Sequence, residues 1–320
     1  MDQGRHRVTT YLLADIGGTN ARFALARDGT LDPASIAYFR NDEYSDFTQV
    51  LAAYLEQMAG ADIKACCVAM AGQIAGDSGV LTNRPWTINS ADIARLTGCR
   101  HVTLINDLYA IGRSLARLGA QDVSAFYAPA PGGVNNGQRL VVNIGTGFNI
   151  AFVMAKAQQD ICARAEAGHF SLPLSIAAQV RALVGENASG NFPTIEQCFS
   201  GRGLSNLHAA ATGQQPQDCK AILAEAETSD ANHPAQVTMT AYADMLATLL
   251  RELTLLFLPQ DGIYLVGGVA TGVLQGRHRA KMQSALAQRG SDAVSVAVPP
   301  VTLITSNNAG LLGCLAVLDD

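Results

Sequence analysis

Apolar residues recur along this chain in short continuous runs, separated by stretches in which they return at helical spacing. Ten mostly polar residues give way to Tyr11-Leu12-Leu13-Ala14, a run that closes on Asp15. A run without alternation suits a strand covered on both faces. The chain then turns on Gly17-Gly18, and Ala21–Arg27 reads as a second strand coming back from that turn. Ala65–Ala71 and His101–Asn106 are further strand candidates. Between them, Asp46–Met58 carries Phe47, Val50, Leu51, Tyr54, Leu55 and Met58 on one helical face. Asn89 or Ser90 followed by Ala91 to Leu96 has the form of a capped helix start.

After Asp107 a helical run reaches Leu118. The passage from Ala128 to Gln138, rich in Pro, Gly and Asn, reads as a loop and a domain seam. Arg139–Ile144 and Phe148–Ala155 are strand-like and are joined by Gly145-Thr146-Gly147. Ser175 to Leu258 is mainly helical, with breaks near Asn187–Pro193 and Thr212–Gln217. The chain closes with strand Gly262–Val266, the turn Gly267-Gly268, a helical Lys281–Arg289, strand Val301–Thr305 and a last helix from about Asn308. Strands separated by helices imply an α/β fold with a partly parallel sheet. No repeat of solenoid length is present. An apolar strand followed by a glycine turn does recur near residues 15, 145 and 267, an arrangement expected to set glycine turns from two domains around one cleft.

A length of 320 residues suggests two domains, and 48% hydrophobic residues with 30 glycines suit a compact α/β protein. The formal net charge of −5, with no dense basic stripe, argues against nucleic acid as a partner. Seven cysteines without a Cys-x-x-Cys pair read as reduced thiols of a cytoplasmic protein. The most apolar helix, Met245 to Leu258, is interrupted by Arg251 and Glu252 and is too short to span a bilayer. The polar N-terminus lacks a signal-peptide core. The expectation is a soluble, cytoplasmic protein with no membrane partner.

Candidate chemistry gathers at the glycine turns and strand ends. There is no GxxxxGK[ST]. Gly145-Thr146-Gly147 has Ile150 where a dinucleotide fingerprint needs its third glycine, and it joins two strands. A Gly-Gly turn lets main-chain N–H groups approach an anion, and Thr19 adds a hydroxyl donor. Asp15 repels a bare phosphate but favours the Mg²⁺ that accompanies one. The alternative for Asp15 is a solvated acid beside a hairpin turn. Three such turns together suggest an ATP–Mg²⁺ site between two lobes. Asp107, at a strand end before a helix, can accept a hydroxyl proton as general base while Asn106 holds a neighbouring hydroxyl. The alternative for this pair is a helix N-cap. Glu166 and His169 can grip vicinal hydroxyls, one accepting and one donating. The same spacing suits two metal ligands, but no Cys or His cluster completes such a site. Glu196 sits in what reads as a polar loop.

Taken together, Asp15-Ile-Gly-Gly-Thr-Asn-Ala-Arg22, Leu81-Thr-Asn-Arg-Pro-Trp86, Ile105-Asn-Asp107, Gly145-Thr-Gly147, Glu166-x-x-His169, Gly267-Gly268 and Asn308-Ala-Gly-Leu-Leu-Gly313 resemble, in this order, the proteobacterial ATP-dependent glucokinases, relatives of actin and hexokinase. The resemblance covers nearly the whole chain. The cysteine-rich zinc motif of the related ROK sugar kinases is missing, which favours the non-ROK group and no structural zinc. The resemblance implies a two-lobed actin/hexokinase-like (ribonuclease H-like) α/β fold, with a cleft between a small domain (1–110 plus 306–320) and a larger one (111–305). It implies phosphorylation of glucose at the 6-hydroxyl, giving glucose 6-phosphate and ADP. Asp107 matches the catalytic base, and Asn106, Glu166, His169 and Glu196 match residues that hold the other glucose hydroxyls. Asp15, Gly17, Gly18, Thr19 and Asn20 match the first phosphate turn, with Asp15 near Mg²⁺ through water. Gly145, Thr146 and Gly147 match the second turn, Gly267 and Gly268 the adenosine turn, and a homodimer is implied.

Three positions depart from the family pattern. Ala165 and Ala167 flank Glu166 where glycines are usual, and their restricted φ is expected to reshape the pocket. Asn149 stands where a further glycine is usual and is expected to put a side chain near the phosphates. Asn143-Ile144 precede Gly145 where a small residue is frequent. Sugar identity and efficiency are therefore open at this point. The alternatives are a kinase for another hexose or amino sugar, and a sugar-binding regulator that has lost catalysis.

Overall fold

The computed structural model describes residues 9–58, 60–129, 135–157, 159–288 and 296–320. The chain divides into two compact units, Met1–Gly119 with Ser306–Asp320, and Ala120–Thr305. In the first unit the order is β1 (Thr10–Ile16), β2 (Asn20–Arg27), β3 (Thr30–Leu31), β4 (Ala37–Arg40), α1 (Phe47–Gln57) and β5 (Ile63–Met70). Then come β6 (Gly72–Ala75), β7 (Ser78–Leu81), β8 (Thr87–Asn89), α2 (Ser90–Thr97), β9 (His101–Asn106) and α3 (Asp107–Ser114). The main sheet runs β3-β2-β1-β5-β9 with β4 beside β2, while β6, β7 and β8 form a separate small sheet.

The continuous apolar runs are explained by helices on both faces of this sheet. Leu12, Ala14 and Ile16 of β1 join Cys66, Val68 and Met70 of β5 in a core with Phe23, Phe47, Leu51 and Tyr54. Leu13, Cys67 and Ala69 point the other way, into a core closed by Ala110 and by the C-terminal residues Leu311, Cys314 and Leu315. β1, β5 and β9 are parallel, and their C-terminal ends line up at Asp15, Ala69 and Ile105. That edge carries both Asp15 and Asp107.

The second unit continues with β10 (Val123–Tyr127), β11 (Gln138–Ile144), β12 (Phe148–Met154) and β13 (Ile161–Arg164). Helices α4 (Leu174–Val184), α5 (Glu186–Ser189), α6 (Ile195–Cys198), α7 (Gly201–Thr212), α8 (Cys219–Thr228) and α9 (Pro234–Phe257) follow. β14 (Ile263–Val266), α10 (Gly268–Gln275), α11 (Arg279–Ala287) and β15 (Val301–Ile304) complete it, and α12 (Ala309–Leu318) returns to the first unit. The sheet order is β10-β15-β14-β11-β12-β13. β11, β14 and β15 are parallel, and β12 returns antiparallel from β11. α9 is buried along most of its length, with Tyr242, Leu246 and Leu250 in the core. Its two interrupting charges have partners: Arg251 donates to the Ala285 carbonyl at 2.6 Å, and Glu252 accepts from Ser175 at 3.0 Å.

Several sequence expectations need correction. The helix after Asp107 ends at Ser114, whose hydroxyl donates to the Ile111 carbonyl at 2.7 Å, and looser turns carry the chain on to Leu118. Gly267-Gly268 is not only a turn, because Gly268 opens α10. Glu196 lies on the short helix α6, not in a loop. α5 occupies part of the break expected at Asn187–Pro193. The Ala128–Gln138 passage lies inside the second unit, and its residues 130–134 fall outside the described residues, as does Arg289, the expected end of a helix that runs Arg279–Ala287.

Candidate active site

In the first unit the chain between β1 and β2 is shaped by its own carbonyls. The Gly17 N–H donates to the Asn20 carbonyl at 2.9 Å. The Gly17 carbonyl accepts from the Asn41 side chain, that of Gly18 from Arg84 Nε, and that of Thr19 from the Asn41 N–H. Arg84 is in turn stacked over Trp86 at 4.9 Å. With these carbonyls occupied, what the turn offers an incoming anion is N–H groups and the exposed Thr19 hydroxyl. The Leu81–Trp86 segment thus acts as a brace for the glycine turn.

Asp15 lies opposite Arg22 in the β1–β2 register and binds it at 3.0 Å through Oδ2. Burial pushes the Asp15 carboxyl upward and Arg22 draws it back. Gly310 of α12 leaves room for it, since a Cβ there would sit 2.7 Å from Asp15 Cγ. At the end of β9, Asn106 is the N-cap of α3, and its Oδ1 accepts from the Leu108 and Tyr109 N–H groups at 3.0 and 3.2 Å. The capping alternative therefore holds for Asn106, whose amide Nδ2 faces the Asp107 carboxylate and helps to hold its charge. Asp107 accepts from the Leu108 N–H at 2.8 Å. Burial, and then the charge of Asp15, pushes its carboxyl up to about 6.

In the second unit Gly145 and Gly147, with Thr146 between them, lead into β12, where Glu196 bonds to Phe148 and Glu166 to Asn149. The Gly145 N–H closes the turn on the Gly147 carbonyl at 3.0 Å, and the Gly145 carbonyl accepts from Gly201 N–H at the start of α7. Glu196 Oε2 accepts from the Phe148 N–H at 3.1 Å, and Oε1 pairs with Arg202 at 3.2 Å. Gly147 lets it sit close, since a Cβ there would lie 2.8 Å from Glu196 Oε2 and the carboxylate would have to shift. Glu166 and His169 bound a short 3₁₀ turn, Ala167–His169, and both side chains are exposed. A bridge between Ser171 and Thr194 ties that turn to the start of α6.

Asn149 is engaged with the Glu166 turn: its Oδ1 accepts from the Ala167 N–H at 3.0 Å and its Nδ2 donates to Glu166 Oε2 at 3.2 Å. Neither Ala165 nor Ala167 has positive φ, so their methyl groups impose no backbone strain. The Gly267 turn lies beside the Gly145 turn through the parallel β11–β14 pairing, and a Cβ on Gly267 would meet the Ile144 carbonyl at 2.4 Å. A cavity of about 810 Å³ adjoins the Glu166–His169 turn and is walled largely by Leu249, Leu253, Leu256 and Phe257 of α9.

Sequence reasoning passed over the partners that orient these groups. Arg22 was within reach: a hairpin centred on Gly18-Thr19 sets position 15 against position 22. Asn149 and Arg202 carry no such local signal.

A family model described as Glucokinase matches residues 12–320. A curated glucokinase of Stenotrophomonas maltophilia (strain R551-3) is 29% identical over 322 residues, covering 97% of this chain and 95% of that protein. The crystal structure of a glucokinase from an Antarctic psychrotroph is 25% identical, with a TM-score of 0.77 over 98% of this chain and 99% of that one. The Balamuthia mandrillaris glucokinase, solved in complex with glucose, shares the fold at 20% identity and a TM-score of 0.74, covering 99% of this chain and 96% of that one.

Proposed function

The chain belongs to the glucokinase family, and from that premise we propose how its own residues carry out the ATP-dependent phosphorylation of glucose at the 6-hydroxyl. Asp107 takes the hydroxyl proton as general base while the oxygen attacks the γ-phosphorus and ADP leaves. Asn106 donates to a neighbouring hydroxyl, and Glu166, His169 and Glu196 hold the rest of the sugar. Gly17, Gly18, Thr19 and Asn20 form one phosphate turn and Gly145, Thr146 and Gly147 the other. Gly267 and Gly268 receive the adenosine. The observation that carries this reading is the Asp107 carboxyl, buried at the C-terminal edge of a parallel sheet and poised at about 6, so that it is ionised at neutral pH yet still basic.

Asp15 suits Mg²⁺ held through water. It is a hard oxygen donor that gives Oδ2 to Arg22, and the described residues contain no cluster of three acidic, His or Cys side chains that would form an all-protein cage. When bound, the ion supplies neutralisation of the phosphate charge.

The test is a coupled ADP-release assay over a panel of hexoses and amino sugars. Turnover is expected with glucose, and a preference for another sugar with glucose idle would overturn the substrate. The free cysteines fit a cytoplasmic setting. A second copy of the chain would cover the exposed apolar side chains Phe170, Leu174 and Leu256, which are 63%, 88% and 66% exposed. Sedimentation of wild type and of Leu174→Glu with Leu256→Glu is expected to give a dimer and a monomer, and a monomeric wild type removes the dimer.

A further inference from the structure

Asn149 is a residue of β12 paired with Asn143 of β11, and nothing in the mechanism above uses it. Its side chain nevertheless makes three hydrogen bonds. Oδ1 accepts from its neighbour's N–H, Ile150, at 2.9 Å, and from the Ala167 N–H at 3.0 Å. Nδ2 donates to Glu166 Oε2 at 3.2 Å. Both backbone partners are donors, so the oxygen must face them and the amide nitrogen must face Glu166. The orientation of the amide is therefore fixed by the main chain.

This gives one side chain a hold on both parts of the Glu166 turn. The Ala167 N–H is the first of the short turn that ends in His169, so Oδ1 pins its backbone to the rigid strand. The Glu166 carboxylate is exposed, and an exposed carboxylate on a turn samples several rotamers unless a donor fixes it. Nδ2 supplies that donor at Oε2 and leaves Oε1 for a hydroxyl. Resting on the reading that Glu166 binds the sugar, we propose that Asn149 is a positioning residue for sugar recognition: it sets the Glu166 carboxylate and the Ala167–His169 turn in their sugar-binding arrangement from the sheet beneath.

The decisive variant is Asn149→Asp. Its Oδ1 keeps the two backbone donors, and its second oxygen replaces the donor with a negative charge facing Glu166. The expected result is a rise in glucose KM of about tenfold or more, with kcat and the KM for ATP within about twofold. Asn149→Gly removes all three bonds without adding charge, and is expected to raise glucose KM by a smaller factor. It also carries the test should the aspartate variant fail to fold. The pairing is checked in a Glu166→Gln background, where the acceptor is neutral and can itself donate. There, Asn149→Asp is expected to have little further effect on glucose KM. An effect of Asn149→Asp as large in that background as in wild type would overturn the proposal, as would an unchanged glucose KM in both Asn149 variants while Glu166→Gln alone raises it. An unchanged KM in Glu166→Gln would overturn the sugar-binding reading first, and this proposal with it.

Discussion

Asp107 is held at a cost to the fold. Its carboxyl is buried, and the neighbouring charge of Asp15 adds to the penalty of ionising it, so it titrates at about 6 against an ordinary value of 3.8. The folded state therefore binds this proton more tightly than the unfolded chain does. The associated stability is present below the unfolded value and is lost as pH rises through about 6. In the proposed role of general base Asp107 has to be ionised to act, so kcat/KM is expected to rise through about pH 6 and level off above it. Asp107→Asn separates the two effects, because the amide oxygen can still accept from the Leu108 N–H. Turnover should fall by about a hundredfold or more. The melting temperature should rise at about pH 8, where the lost charge was unfavourable, and change less at about pH 5. An asparagine variant that turns over normally would remove Asp107 from the chemistry, and one less stable at high pH would contradict the burial argument.

At the scale of elements, two glycine-dependent contacts carry the site, and they respond differently to a methyl group. α12 and α3 touch at Gly313, where a Cβ would sit 1.8 Å from the Ala110 carbonyl oxygen. That oxygen is helix backbone and cannot step aside, so Gly313→Ala should cost at least about 2 kcal/mol in urea unfolding. Stability equal to wild type would mean that the two helices are not packed this closely. At the start of α10 the paired glycines divide their work. Gly267 has a φ of +104° and faces the Ile144 carbonyl, whereas Gly268 has open space where a Cβ would go. Gly268→Ala should leave the melting temperature unchanged or slightly raised, as alanine favours the helix, while raising the KM for ATP. An unchanged ATP KM would remove Gly268 from the nucleotide site.

These elements also mark how far the sequence could be read. β1 and β5 were legible because a strand buried on both faces leaves an unbroken apolar run, and β9, a half-buried edge strand, was legible from Val102, Leu104 and Ile105; the ends of these runs already pointed to Asp15 and Asp107. The short strands β6, β7 and β8 left too few residues for any period to emerge. α10 was hidden because Gly267-Gly268 reads as a turn and the following Val269-Ala270 has no polar face to give a helical stripe. Glu196 looked like a loop acid because α6 is only four residues long. The bonds of Asn149 reach residues seventeen and eighteen positions away through its side chain, and bonds of that kind have no period in sequence.

For the molecule as a whole, the division into two units separates the residues of the proposed reaction. Asp15, Asn106 and Asp107 belong to the first unit, and Glu166, His169, Glu196 and the second and third glycine turns belong to the second. The second unit is one unbroken stretch of chain, 120–305, with its own six-stranded sheet and its own core built on α9. Its two ends meet, since Thr305 N–H donates to the Asp122 carbonyl at 2.8 Å. A segment with a private core and adjoining ends meets the physical requirements for folding alone. Residues 120–305, expressed separately, should therefore unfold in a single cooperative thermal transition. Because the proposed base lies outside it, this fragment should release no ADP with glucose and ATP, and its glucose affinity should fall well below that of the full chain once Asn106 and Asp107 are gone. A non-cooperative melt would mean that the second core depends on the first unit. Measurable turnover by the fragment would be the graver result, since it would place the proton acceptor among the residues of the second unit and leave Asp107 without its role.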